Sequence, residues 1–400
     1  MSPPRIAIVG AGPAGLTLEL RSKPTPADLA QPIGVLDLHE ESGLAAIREL
    51  DLYDEFLPLT GDCAEVMRLA DKDGNILSAD DLEEHGERRP EISRNALYEL
   101  LMGKLPEGNV KWDRKLLSAT NSTNADGSTE ISLDFGTHGK ETFDLVIGAD
   151  GAWSKVRKLL TDVNPLYQGT QIITLTIRDI PKKHPHLVEL IGPGSFAALE
   201  NRNGIAAQRG GFDSARLYVY VSTPDSEFAK TSGFGAMTAV EAKSKLLNDD
   251  ALFGTYGPVI KELLSIACDE ETAGNPGAQL DIRAVYGFPI GHTWEHKQGA
   301  TLIGDAAHLM PPSGERVNIG MRDAVMLSKT IKKAYETLTS SAAALQKGLD
   351  ALMVKFEEEM ASRSTKAAKE ADELNETMFG GDHGAVALAD MFKAMMALQE

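Results

Sequence analysis

The run Arg5-Ile6-Ala7-Ile8-Val9, followed by Gly10, Gly12 and Gly15, constrains this chain more than any other stretch. A short apolar, β-branched run that ends on glycine reads as a buried strand. The three glycines stand at the G-x-G-x-x-G spacing of a phosphate-binding turn. The first makes the tight turn, the second lets the backbone approach a pyrophosphate, and the third lets a helix pack close to the strand. Such a turn normally continues through a helix into a second strand, whose terminal acid, about 20 residues on, holds a ribose. Here Thr17 to Ser22 gives less than two turns before Pro24 and Pro26 stop the helix. No apolar strand ending in an acid follows at that distance. The chain therefore carries the phosphate end of a dinucleotide site without its ribose end.

Two further strand-to-turn stretches lie far downstream. "DLVIGADGAWSKVRKLL" puts Asp150 in a Gly-rich turn between a buried strand and a helix, with Arg157 one turn in. "TLIGDAAHLMPPSGERVN" puts Gly304 and Asp305 after another strand, and its Pro-Ser-Gly turn leads into a helix starting near Val317–Asn318. Between the first two motifs, Gly43 to Phe56 has helical spacing, and "DKDGN" makes a hairpin between Met67–Leu69 and Ile76–Leu77. Ser93 or Asn95 can cap a helix over "ALYELL". From 165 to 290 the texture changes to strand-like pieces such as "GIAAQRGG" and "ARLYVYVST", with helices over Ala239–Leu247 and Val259–Cys268. The end of the chain is helical. The expected fold is α/β: a Rossmann-like domain in two parts (1–164 and 291–340), an inserted antiparallel sheet domain (165–290) and C-terminal helices (341–400).

Composition narrows the partners. Forty basic against 59 acidic residues give a net charge of −19, which repels phosphate backbones and argues against nucleic acid. Two cysteines cannot build a disulfide framework. The first strand begins too early to leave room for a signal peptide, and no stretch has the length of a membrane span. The expectation is a cytoplasmic protein, a monomer or weak dimer, acting on a small molecule.

Taken together, the three motifs resemble those of the class A FAD-dependent monooxygenases of the para-hydroxybenzoate hydroxylase type. The likeness is nearest to the tetracycline-inactivating monooxygenases and their fungal relatives. It runs through "LDLHEESG", "RLADKDGNIL", "RPEISRNALYELL", "DLVIGADGAWSKVRKLL", "FPIGHTWEH" and "LIGDAAHLMPP". It implies an oxidoreductase that uses FAD, NADPH as transient co-substrate, and O2 to hydroxylate an aromatic, phenolic or polyketide-type molecule of secondary metabolism. It also implies a cofactor site made by Gly10, Gly12, Gly15, Arg94, Asp150, Gly304, Asp305, Pro312, Gly314, Val317 and Asn318. Gln208, Arg216 and Tyr218 lie on the strands that cover the flavin in the family, and alternation puts Arg216 and Tyr218 on one face.

Two stretches depart from the family pattern. The connection after the glycine turn is short, and Ile33 stands where the family has the first glycine of a pair, although Gly34 remains. "PPSGERVN" is a residue short, with Arg316 in place of the second glycine of the flavin loop. These departures leave open a homologue that kept the fold, weakened or lost its flavin, and catalyses a cyclisation, isomerisation or dehydration. A non-catalytic binding protein is a third reading. "GHTWEH" (His292, Glu295, His296) matches a zinc-protease pattern, but the flanking Pro289, Gly291 and Gly299 favour a loop over the helix that pattern requires, and no metal is expected. His308 reads as a packed or capping histidine more readily than as an acid/base. The charged helix Lys355–Glu373 reads as a solvated face.

Overall fold

A computed structural model of the protein describes residues 5–10, 12–13, 23–79, 89–125, 127–337 and 342–397. Gly15 and the short helix expected after it lie outside these residues. The first eight strands are β1 (Ile6–Val9), β2 (Val35–Asp37), β3 (Met67–Ala70), β4 (Ile76–Ala79), β5 (Glu91–Ser93), β6 (Ser118–Thr123), β7 (Thr129–Asp134) and β8 (Lys140–Phe143). The others are β9 (Leu145–Gly148), β10 (Leu166–Ile177), β11 (Ser195–Glu200), β12 (Asn203–Gly210), β13 (Ser214–Ser222), β14 (Asp281–Gly287) and β15 (Ala300–Leu302).

The strands that run into the three motifs form one parallel sheet in the order β1-β9-β15. Its apolar residues, including Val146, Ile147 and Leu302, pack against Val156, Ala306, Phe356 and Met360. This is the Rossmann-like layer, with the three turns gathered at the carboxyl ends of adjacent strands. Among the described residues β1 pairs only with β9, and Ile8 is left exposed. The chain after the glycine turn instead supplies β2, which pairs antiparallel with β5 in a separate two-stranded ribbon.

A seven-stranded sheet, β14-β10-β13-β12-β11-β3-β4, lies beside it and is antiparallel except where β11 runs parallel to β3. The β3–β4 hairpin thus joins strands from far down the chain. Period-2 alternation gives this sheet two faces. Ile205, Ala207, Leu217 and Val219 face the helices Ala239–Asn248 and Pro258–Gly274, where Leu246, Ile260, Leu263 and Leu264 close the core. Each such buried side chain contributes about 1.5–3 kcal/mol. The opposite face carries Gln208, Arg216 and Tyr218.

Long helices finish the chain: Glu315–Thr337, Ala342–Phe379 and Gly384–Ala397. Among the described residues no helix is long and apolar enough to cross a membrane. The expected helix from Gly43 to Phe56 is broken into Gly43–Glu49 and Tyr53–Phe56, because Asp51 takes a left-handed conformation (φ 57°) between them. The charged Ala342–Phe379 helix is not simply a solvated face. Its Glu357 is buried and accepts hydrogen bonds from Thr301 Oγ1 (2.8 Å) and His296 Nδ1 (2.9 Å).

Candidate functional site

At the first turn, Gly10 has φ 116°, and a Cβ there would stand 2.1 Å from the Ala149 carbonyl oxygen. Only glycine fits. The turn packs directly on the end of β9, and Gly12 beside it is buried. At the second turn, the Asp150 carboxylate accepts from Ser154 Oγ (2.5 Å) and the Lys155 amide (2.7 Å), which holds the loop into a short 3-10 turn at Val156–Leu159. Arg157 is buried within this turn. It donates to the Ala152 and Ala306 carbonyls (2.7 and 3.1 Å) and lies over the Phe288 ring, tying the second motif to the third.

At the third turn, Gly304 (φ 59°) precedes the one-turn helix Asp305–His308. Its amide donates to Asp323 Oδ2 at 3.1 Å. Asp323 is fully buried on the Glu315–Thr337 helix and also accepts from His308 Nε2 (2.5 Å) and Arg363 (3.3 Å). Burial works against a charged His308, but the Asp323 carboxylate outweighs it and raises the histidine's pKa. His308 is therefore a packed, paired histidine. Asp323 and Arg363 escaped the sequence reading because a charge on a long polar helix carries no sign of where it docks.

Asp305 is held by Arg316. The guanidinium reaches it through Nε at 3.1 Å and through a second, shorter contact from Nη2. Burial alone would raise the Asp305 pKa, but Arg316 pulls it below the ordinary carboxylate range. Pro312 is exposed and Gly314 takes φ 83° in the loop before this helix. Val317 packs on Leu36, Leu38 and Ile47, and the helix begins at Glu315, two residues ahead of the expected start. Asn318 is fully buried. Its amide donates to the Asp37 and Gly314 carbonyls (2.9 and 3.1 Å), and its oxygen accepts from the His39 and Gly43 amides (2.8 and 3.2 Å). It staples the end of β2 to the helix.

Arg94 opens the helix Arg94–Met102. Its side chain keeps solvent access, and the protein packed around it lowers its pKa. Arg216, Arg316, Tyr218 and Asp305 lie within electrostatic reach. Among the described residues no group accepts a hydrogen bond from the Arg94 guanidinium. Neither expected cap forms on this helix: Ser93 makes no capping bond, and Asn95 Nδ2 instead donates to the Asp28, Leu29 and Gln31 carbonyls (3.2, 2.9 and 3.1 Å).

The inner face of the large sheet closes the cleft. Gln208 and Arg216 are directly opposed on β12 and β13, and Tyr218 follows on the same face. Tyr218 Oη comes so near Gly34 that a Cβ there would stand 2.6 Å away, and Gly34 has φ 87°. Gln208 Nε2 donates to Glu91 Oε2 on β5 at 2.8 Å. Beside them His39 bonds Asp37 (2.7 Å) and Glu315 (3.0 Å). Burial opposes its charge, but the two carboxylates push its pKa up to about 9. The structure thus brings Arg94, Asp305, Arg216 and Tyr218 within electrostatic reach of one another, with Gln208 opposite Arg216, and leaves Asp150 engaged with its own loop. "GHTWEH" forms no helix: His296 pairs with Asp350 and Glu357, and His292 makes tilted ring contacts with Phe288 and Trp294.

No protein-family model matches the chain. It is similar to monooxygenase penA of Penicillium thymicola, 33% identical over 412 residues covering 91% of this chain and 93% of that one. It is also similar to monooxygenase asqM of Emericella nidulans, 32% identical over 387 residues covering 85% and 86%. Among solved structures, HpxO of Klebsiella pneumoniae complexed with FAD and uric acid superposes with a TM-score of 0.69 at 16% identity, covering 96% of this chain and 91% of that one. At that identity the structural likeness speaks for the fold alone.

Proposed function

The chain belongs to the class A FAD-dependent aromatic monooxygenase family, and from that membership we propose that it binds FAD in the cleft and hydroxylates an aromatic, phenolic or polyketide-type small molecule with NADPH and O2. When bound and reduced, the flavin supplies the activation of oxygen. The protein supplies position. The glycine turn at Gly10, Gly12 and Gly15 and the Arg94 guanidinium take the pyrophosphate, with Asp150 at its flank. Gly304 and Asp305 would hold the ribityl chain, and the loop from Pro312 through Gly314 to Val317 and Asn318 would hold the ring. There the amides at the start of the Glu315–Thr337 helix favour negative charge. Gln208, Arg216 and Tyr218 face the substrate from above. The observation that carries this reading is Arg94, a solvent-accessible arginine with no anion partner among the described residues, which fits a phosphate. The division into a split flavin domain, an inserted sheet domain and C-terminal helices belongs to the same proposal, as do a cytoplasmic location and a monomer or weak dimer.

A second reading is favoured by one observation: Asp305, the acid facing the ribityl chain, is already paired with Arg316. In that reading flavin is held weakly or not at all, and the cleft serves a non-redox cyclisation, isomerisation or dehydration. The test is FAD titration of the purified protein by calorimetry and visible absorbance, alongside Arg94→Ala. We expect a yellow complex that speeds NADPH oxidation when substrate is added. We expect Arg94→Ala to weaken FAD about tenfold or more, since a charge-assisted hydrogen bond is worth about 1.5–3 kcal/mol. A wild type that shows no heat of binding and is colourless once excess FAD has been removed by desalting would favour the second reading.

A further inference from the structure

Glu91 sits where the β2–β5 ribbon meets the inner face of the large sheet, and nothing in the cofactor chemistry above uses it. It is buried, and Asp37 opposes it directly across the ribbon. One carboxyl oxygen accepts from Gln208 at 2.8 Å. The Cys63 thiol is also in hydrogen-bonding contact with the carboxyl group, and among the described residues no cation lies within ion-pairing distance. The groups packed around it are the Cys63 thiol and Glu65 from the turn before β3, Asp37 from β2, and Gln208 and Arg209 from β12. Arg216 stands opposite Gln208 on β13, and Tyr218 and Arg94 lie beyond. Cys63 is itself buried, and that burial pushes its thiol well up, so it stays neutral.

A buried carboxyl flanked by carboxylates and lacking a cation favours its protonated form. Burial and the Asp37 charge push Glu91 up to about 7. Protonated, it has an O–H to give. Beyond Gln208, Arg316 is matched by Asp305, whereas Arg94 and Arg216 have no carboxylate partner among the described residues. The Arg216 Nε is buried without a hydrogen-bond partner. A neutral acid bonded to Gln208, whose cross-strand neighbour Arg216 has no carboxylate partner, is an arrangement that can receive a ligand oxygen carrying negative charge.

We propose that Glu91, oriented by Gln208, donates a hydrogen bond to the enolate or phenolate oxygen of the bound substrate, with Arg216 balancing its charge. The substrate class is then a planar small molecule with an acidic enol or phenol. This rests on the cleft being the substrate site of the monooxygenase proposed above, but not on flavin being bound.

The test is binding of 2,4-dinitrophenol, which is ionised across the neutral range, followed by calorimetry with and without added FAD. Wild type should bind it about tenfold more weakly as pH rises past the Glu91 pKa of about 7, below the range in which His39 titrates. Glu91→Gln, neutral at every pH and still a donor, should keep the low-pH affinity and lose that pH dependence. Glu91→Ala should bind about tenfold more weakly at low pH, the loss of one hydrogen bond to a charged group. A Glu91→Gln protein that keeps the wild-type pH profile overturns the proposal, as does a Glu91→Ala protein that binds as tightly as wild type. Should Glu91→Ala fail to fold, the Glu91→Gln profile decides alone. If FAD binds and the probe ignores Glu91, only this inference falls. If the probe responds as expected and FAD never binds, the flavin reading falls and this one stands.

Discussion

Arg316→Ala separates the two readings of the cleft, because it moves stability and flavin affinity in opposite directions. In wild type the guanidinium holds the Asp305 carboxylate, and the two side chains keep 34% and 15% of their surface. Breaking a fully buried pair costs about 3–5 kcal/mol, whereas exposed pairs carry about 0–1 kcal/mol. At this intermediate exposure a coupling of about 1–2 kcal/mol is expected. The unliganded protein should lose about that much in Arg316→Ala at neutral pH. Flavin that must displace Arg316 to reach Asp305 gains the same amount in the variant, which is about five- to thirtyfold in affinity.

The pH dependence has a definite sign. The depressed Asp305 pKa contributes stability that is present above its unfolded value of about 4 and is lost as pH falls through the folded value. Without Arg316, burial is opposed only by the charges of His308 and Arg94, so the variant loses stability near neutral pH, and its deficit against wild type shrinks as pH falls and Asp305 is protonated in both. Melting of the unliganded proteins across acid and neutral pH, with FAD calorimetry on both, measures all three effects. Equal FAD affinity and equal melting would show that the pair carries no energy. Tighter FAD binding by wild type would make Arg316 a flavin ligand and refute the competition.

Two further outcomes follow from the paired groups. Asp323→Ala removes the acceptor of the Gly304 amide, His308 and Arg363 at once and should cost about 3–5 kcal/mol in urea unfolding, leaving a buried cation unmatched. His39, held up to about 9 by Asp37 and Glu315, contributes stability fully present below its unfolded pKa of about 6.5 and lost as pH rises through about 9. The melting difference between wild type and His39→Gln should therefore shrink across that interval, and a constant difference would refute the assignment.

What could be read in the chain follows the range of the interactions. The three strand-to-turn motifs are local, and so is the alternation that puts Arg216 and Tyr218 on one face, while Ile205 and Leu217 go to the other. Asn95 looked like a cap because capping is the local use of an asparagine before an apolar helix. Its actual partners lie more than sixty positions away, in the turn from Asp28 to Gln31. Glu357, Arg363 and Asp323 were illegible for a related reason. On a helix rich in charge, composition cannot separate the few side chains that dock from the many that face water. The ribbon of β2 and β5 was equally hidden, since three residues per strand carry no periodicity.

That ribbon connects the shortened glycine turn to the chemistry of the cleft. With β1 paired only to β9 among the described residues, the chain after the turn is free to run to β5. Asn318 fixes the end of β2 and the chain just after it through three bonds to backbone, at Asp37, His39 and Gly43. Gly34 then lies under Tyr218, and Glu91 lies within reach of Gln208. A bulkier residue at Gly34 would lift the sheet from the ribbon and break the Gln208–Glu91 contact. The segment that follows the shortened glycine turn therefore also positions the strand that carries Glu91. Arg316 acts where flavin would lie and Glu91 where substrate would lie, so their variants should change the two affinities separately.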